Sequence, residues 1–124
     1  MTLNDYQQQA MTTCMISSQN FSYMFLNLVG EVGEFASKIA KAIRKDRFCI
    51  NGNELDVYWQ TDEEAAEIDR LQKDLQKEAG DILWQLSGLC SVMGWDLEDI
   101  ARQNLDKLAS RKQRNVIDGS GDNR

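Results

Sequence analysis

Leu28-Val29-Gly30-Glu31-Val32-Gly33-Glu34-Phe35 decides how the rest of the chain is read. Around it, Phe21, Phe25, Leu28, Val32, Phe35, Ile39 and Ala42 recur at alternating steps of four and three, which lays one apolar stripe along a helix. Two glycines stand in the middle of that helix, each less favourable there than alanine by about 1 kcal/mol. Each directly precedes a glutamate. A helix accepts such residues where a neighbouring helix or a ligand must approach its backbone. Glu31 and Glu34 are three apart, so they lie about 60° from each other and share a face. The device recurs at Glu78-Ala79-Gly80-Asp81, again two carboxylates at i and i+3 with a glycine before the second. Two such pairs on two helices can converge on a cation.

Working outward, the periodicity is helical almost throughout. A first helix is predicted over Leu3 to Ser18, capped by Thr2 with Asp5 three residues on; Ser17 to Asn20 is turn-like. The second runs from Phe21 to Lys45, with Glu31 and Glu34 bordering its apolar stripe and Lys38, Lys41 and Lys45 along its polar flank. Phe48-Cys49-Ile50, the turn dipeptide Asn51-Gly52 and the alternating Glu54 to Trp59 then read as a short hairpin. Thr61 to Glu64 is a capping box that opens a long third helix through Ile68, Leu71, Leu75, Ile82, Leu86, Leu89 and Met93, stopped by Gly94. Glu78 fills the step missing from that apolar series, where a carboxylate is expensive unless paired or bound to metal. A fourth helix is predicted from Asp96 to about Asn115, with Leu97, Ile100, Ala101, Leu105 and Leu108 inward, before a polar glycine-rich tail over residues 119–124. The fold class is therefore all-α: a four-helix bundle in one domain, residues 1–118, with a hairpin-like insertion between the second and third helices. The third helix outlasts what one small bundle covers, so a homodimer sharing its core is expected.

Composition narrows the chemistry. A chain of 124 residues with 42% hydrophobic and 27% charged content suits one globular domain. No apolar run approaches the length of a membrane span and the N-terminus does not resemble a signal peptide, so no membrane partner and a cytoplasmic location are expected. The net charge of −6 argues against nucleic-acid binding. The three cysteines, Cys14, Cys49 and Cys90, are widely spaced and form neither a disulfide framework nor a zinc motif. Histidine is absent, which rules out His-dependent zinc sites, Ser-His-Asp triads and Glu-x-x-His di-iron centres within one chain. Any metal must be held mainly by oxygen, which selects Mg²⁺, Mn²⁺ or Ca²⁺.

Three constellations remain, each with a plainer alternative. Glu31, Glu34, Glu78 and Asp81 supply enough oxygen for one or two hard cations; alternatively the first pair are solvated charges, with Glu34 pairing to Lys38 at i+4. Asn104, Lys107, Arg111 and Arg114 share one face of the fourth helix and suit phosphate oxygens, or else simply complement the helix dipole. Phe21, Phe25, Trp59 and Trp84 are candidates to cover a nucleobase; Trp84 sits among core positions, and Trp59, on the hairpin, is the better placed, for a base or else for an oligomer contact.

Taken together and in order, these segments resemble a known family. Leu28 to Glu34 followed by Glu78-Ala79-Gly80-Asp81-Ile82-Leu83-Trp84 is similar to the paired Glu-x-x-Glu and Glu-x-x-Asp motif of MazG-type nucleotide pyrophosphohydrolases. Asn104-Leu105-Asp106-Lys107-Leu108-Ala109-Ser110-Arg111 resembles that family's Asn-x-x-Lys-Leu-x-x-Arg segment. The resemblance spans roughly Phe21 to Arg114. It implies a MazG-like all-α bundle, dimeric or tetrameric, that converts a nucleoside triphosphate to the monophosphate and pyrophosphate in nucleotide-pool housekeeping. By position it makes Glu31, Glu34, Glu78 and Asp81 the ligands of Mg²⁺, with Mn²⁺ as a substitute, and one of them, such as Glu34, a general base. Asn104, Lys107 and Arg111 fall to the substrate phosphates, Lys107 also among the catalytic residues; Arg114 extends the same helical face. One departure is the long stretch Phe35 to Lys77 between the acidic pairs, whose surplus over the compact family pattern is largely the hairpin segment. Two rivals to this function stand beside it: a non-catalytic oligomeric bundle binding a partner or nucleotide, and a related enzyme acting on an anhydride such as phosphoribosyl-ATP.

Overall fold

Thr2 and Asp5 cap each other's backbone N–H groups and start α1, Leu3–Met11, in a computed structural model that describes residues 1–124. The helix stops seven residues short of the expected Ser18. Thr12 and Thr13 turn their hydroxyls back onto the carbonyls of Gln9 and Ala10, competing with the helical ladder, and a separate single turn follows at Ile16–Ser18. Asn20 then caps α2, Phe21–Arg44, by accepting from the Tyr23 N–H.

The insertion is a two-stranded antiparallel hairpin, β1 (Phe48–Asn51) and β2 (Glu54–Val57), with Phe48 opposite Val57 and Asn51 opposite Glu54. This register moves the turn one residue on from the expected Asn51-Gly52. Asn51 belongs to the strand, and the loop is Gly52-Asn53, with Gly52 at φ +63° in the position where a two-residue turn favours glycine. The hairpin does not stand alone. Phe48 is buried with Ala42 and Ile68, packed round by Ile39, Ile43, Val57, Leu71 and Leu75. Arg47 ties the same end to the third helix through Glu64 at 3.3 Å and Glu67 at 2.9 Å.

That third helix, α3, runs from Asp62 to Val92, and Gly94 at φ +72° ends it as expected. Thr61 caps it, but the expected box is open: the Glu64 carboxylate accepts from the Gln60 N–H, one residue before the cap. α2 and α3 form the main helix pair. Near its far end Gly88 faces α2, and a Cβ there would run into the fully buried Met24 thioether.

The last helix, α4, spans Leu97–Gln113 and is held mainly to α1. One buried side chain makes that corner: Gln7 donates to Ser91 Oγ (3.0 Å) and the Trp95 carbonyl (2.9 Å) and accepts from the Leu97 N–H (2.8 Å). No helix is long and apolar enough to cross a membrane.

The fold is thus the expected all-α arrangement of four helices, but two apolar stripes are not core within the chain. On α2 it is Met24 and Ala42 that are buried, while Phe21, Phe25 and Val32 are 53%, 45% and 51% exposed. On α4 Leu97 is buried, whereas Leu105 and Leu108 are exposed rather than inward. A stripe shows which residues share a face, not whether the chain itself covers that face.

Candidate metal centre

Glu31 comes from the middle of α2, and Glu78 and Asp81 from successive turns of α3. Because α2 and α3 pack side by side, one carboxylate oxygen from each of the three lies within 4.8 Å of the other two. Glu34 is exposed and lies outside this trio, one turn along α2. Gly33 and Gly80, expected to admit a close neighbour, face open space: nothing lies within 4 Å of a Cβ built on either. The helical glycine that a neighbour does crowd is Gly88, against the Met24 side chain, and no motif marked it.

Glu78 is the buried member. Only 7% of the residue is exposed; its Oε1 accepts from the Lys38 ammonium at 2.9 Å, and its Oε2 has no partner at all. Lys38 therefore bypasses Glu34 on its own helix and reaches across to α3. Crowding acts on the neighbour. Burial first, then the charges of Glu34, Asp81 and Glu78, raise the Glu31 carboxyl above its ordinary range. The orphaned buried oxygen and the mutual repulsion of these acids are the marks of an oxygen-donor set that suits a hard divalent cation.

Tyr6 of α1 also borders this site. Its phenol is pushed up by burial and then by the Asp81 charge. Trp84, one turn past Asp81, donates through its indole N–H to the Ala10 carbonyl (3.2 Å) and Thr13 Oγ1 (3.0 Å), so it docks α1 rather than filling a core. Neither Tyr6 nor Lys38 belongs to an acidic motif; they reach the site only through helix packing.

The basic face of α4 is met by the chain's own tail. Asp122 pairs with Arg111 at 2.7 Å and with Lys107 at 3.2 Å, and these two cations hold its carboxyl below the usual range, the hydrogen bond from Arg111 first. Arg111 is 5% exposed, and Arg114 donates to Ser110 Oγ and to the Arg124 carbonyl. No ion pair joins these residues to the acidic trio. Asn104 lines an apolar groove with Leu3, Leu83, Leu86, Leu97, Ile100 and Ala101. Trp59 lies by Ala65, Ile68 and Gln72, so it flanks the first turns of α3, about 9 Å of helix rise or more from Glu78. Phe25 stacks on Phe21, with ring centroids 5.6 Å apart, on the exposed side of α2.

Against known proteins, the family described as the MazG nucleotide pyrophosphohydrolase domain matches residues 19–116, a span that holds both acidic pairs and the Asn104 to Arg111 segment. The "Gene 37 protein" of Mycobacterium phage L5 is 38% identical over 109 residues, covering 87% of this chain and 80% of that protein. No solved structure matches.

Proposed function

Because the chain belongs to the MazG nucleotide pyrophosphohydrolase family, we propose that it cleaves a ribo- or deoxyribonucleoside triphosphate at the α–β linkage, releasing the monophosphate and pyrophosphate. The observation that carries this reading is the convergence of Glu31, Glu78 and Asp81 within 4.8 Å, with one buried Glu78 oxygen unpartnered. These three residues would hold Mg²⁺, for which Mn²⁺ could substitute, with Glu34 completing the set from one turn away. Bound there, the ion would supply positive charge to neutralise the substrate phosphates.

The remaining steps belong to the chain's own side chains. Glu34, exposed and unpaired, is free to orient a water and take its proton. Lys107 and Arg111 already hold a carboxylate, that of Asp122, and the same donors suit a phosphate, which then replaces it. Asn104 and Arg114 extend that face, and Trp59 and Phe25 are the flat surfaces offered to a base. The working form is a homodimer or homotetramer: a second copy covers Leu26, Val29, Val32, Leu105 and Leu108, all exposed here.

Glu78→Gln and Asp81→Asn test the assignment. Each variant should fold, as judged by circular dichroism, and lose on the order of 100-fold or more of EDTA-sensitive pyrophosphate release across a nucleotide panel that includes phosphoribosyl-ATP. Full turnover by either variant would remove the acidic set from the mechanism. Nucleotide binding without turnover by the unmodified chain would favour a binding module instead.

A further inference from the structure

Lys38 belongs to no motif of the family resemblance, yet it makes the one ion pair that any acid of the quartet has. Its ammonium stands 2.9 Å from Glu78 Oε1, while Glu34 lies four residues away on the same helix, the local partner that i,i+4 spacing favours. The reach across to α3 has a physical cause. Glu78 is buried in the middle of an apolar stripe, so an opposite charge there offsets a desolvation that exposed Glu34 does not suffer. The pair is also lopsided: the Glu78 side chain is 10% exposed and that of Lys38 is 37%, so the ammonium keeps a path to solvent on a flexible stem. A lysine so placed serves Oε1 and leaves Oε2 bare.

We propose that Lys38 is a built-in counter-ion, a positioning residue that holds Glu78 in the metal-free protein and that a divalent cation must displace to bind. The inference rests on reading Glu31, Glu78 and Asp81 as the metal site. A monovalent ammonium and a divalent ion compete for one carboxylate, since each repels the other at that distance. The design lets the chain fold without an uncompensated buried charge before metal arrives. Its consequence is a metal affinity lower than the bare carboxylates would give.

The test is calorimetric titration of Mn²⁺ into metal-free protein, with no nucleotide present. Lys38→Met should bind Mn²⁺ about tenfold more tightly than the unmodified chain, as for two competing ligands with ordinary coupling. Lys38→Arg, which keeps the charge, should stay within about threefold. Lys77→Met is the control for charge removal in general, because Lys77 neighbours Glu78 in sequence but pairs outward with Asp74 at 3.2 Å; it should change affinity by less than about twofold. Lys38→Met binding no tighter than the Lys77→Met control would overturn the proposal. Should Lys38→Met fail to fold, the unmodified chain decides: the Lys38 ammonium resonance in ¹⁵N-detected NMR, slowed in exchange by Glu78, should move to the position of a free lysine on saturation with Mg²⁺. A resonance that does not move would likewise overturn it. Absence of Mn²⁺ binding by every chain would overturn the metal-site reading itself, and this proposal with it.

Discussion

At the scale of single residues, Glu31 and Glu78 respond differently to the same crowding. Glu78 has Lys38 for a partner, whereas Glu31 is surrounded by acids that raise its pKa after burial has done so. A raised carboxyl pKa means that the native state binds this proton more tightly than the unfolded chain. Glu31 therefore contributes stability as pH falls through its raised pKa and opposes folding above it. Glu31→Gln should raise the metal-free melting temperature at neutral pH, by on the order of 1–2 °C because the side chain is only partly buried, and flatten its dependence on pH. Thermal unfolding in EDTA across pH measures both; a lower melting temperature at neutral pH would contradict the crowding. Metal affinity should likewise fall as pH drops through the same range, because the ion and the proton compete for Glu31. The Glu78 anomaly was legible in the sequence, since a carboxylate at a core step must find a counter-charge. Its partner was not. The local rule pairs Lys38 with Glu34, and only packing reveals that the buried acid is the stronger claimant.

At the scale of elements, the glycines separate what pattern can show from what it cannot. Gly80 and Gly88 are both helix-interior glycines of α3, and the sequence singled out the first. At Gly88 a methyl meets Met24, an overpacking of about 1–3 kcal/mol against a propensity gain of about 1 kcal/mol, so Gly88→Ala should destabilise by on the order of 1 kcal/mol. At Gly80 nothing stands in the way, and Gly80→Ala should stabilise the metal-free chain by up to about 1 kcal/mol. Urea unfolding of the two variants distinguishes them; equal effects would mean that the Met24 side chain yields to the added methyl. Helix identities and most boundaries were legible because capping residues and periodicity act locally. The early end of α1 was not, since Thr12 and Thr13 favour their own turns. Nor was the one-residue shift of the hairpin, which is fixed by Phe48 docking against Ala42 and Ile68.

At the scale of the whole molecule, the buried hydrophobic residues are few: Met24, Ala42, Phe48, Ile68, Cys90 and Leu97. A chain of this length with so small a core is thinly stabilised alone, while whole stripes of α2 and α4 lie open. Sedimentation at micromolar concentration should therefore find a dimer or tetramer, and replacing Val29 and Leu105 together with glutamate should shift it toward monomer. A unmodified chain that sediments as a monomer would contradict this. The apolar stripes themselves were legible in the sequence, but the sequence does not say whether one chain or two will cover them. The same limit applies to the tail. Residues 119–124 read only as a polar glycine-rich stretch, yet Asp122 folds back onto Arg111 and Lys107.

The central claim, metal-dependent cleavage of a triphosphate at the α–β linkage, is tested most directly by turnover in ¹⁸O-labelled water with Mg²⁺, reading the products by mass spectrometry. The account predicts nucleoside monophosphate and pyrophosphate in equal amounts, with one ¹⁸O per turnover between them and the reaction lost in EDTA. Orthophosphate and nucleoside diphosphate as the products would mean that a different bond is cut and would contradict it.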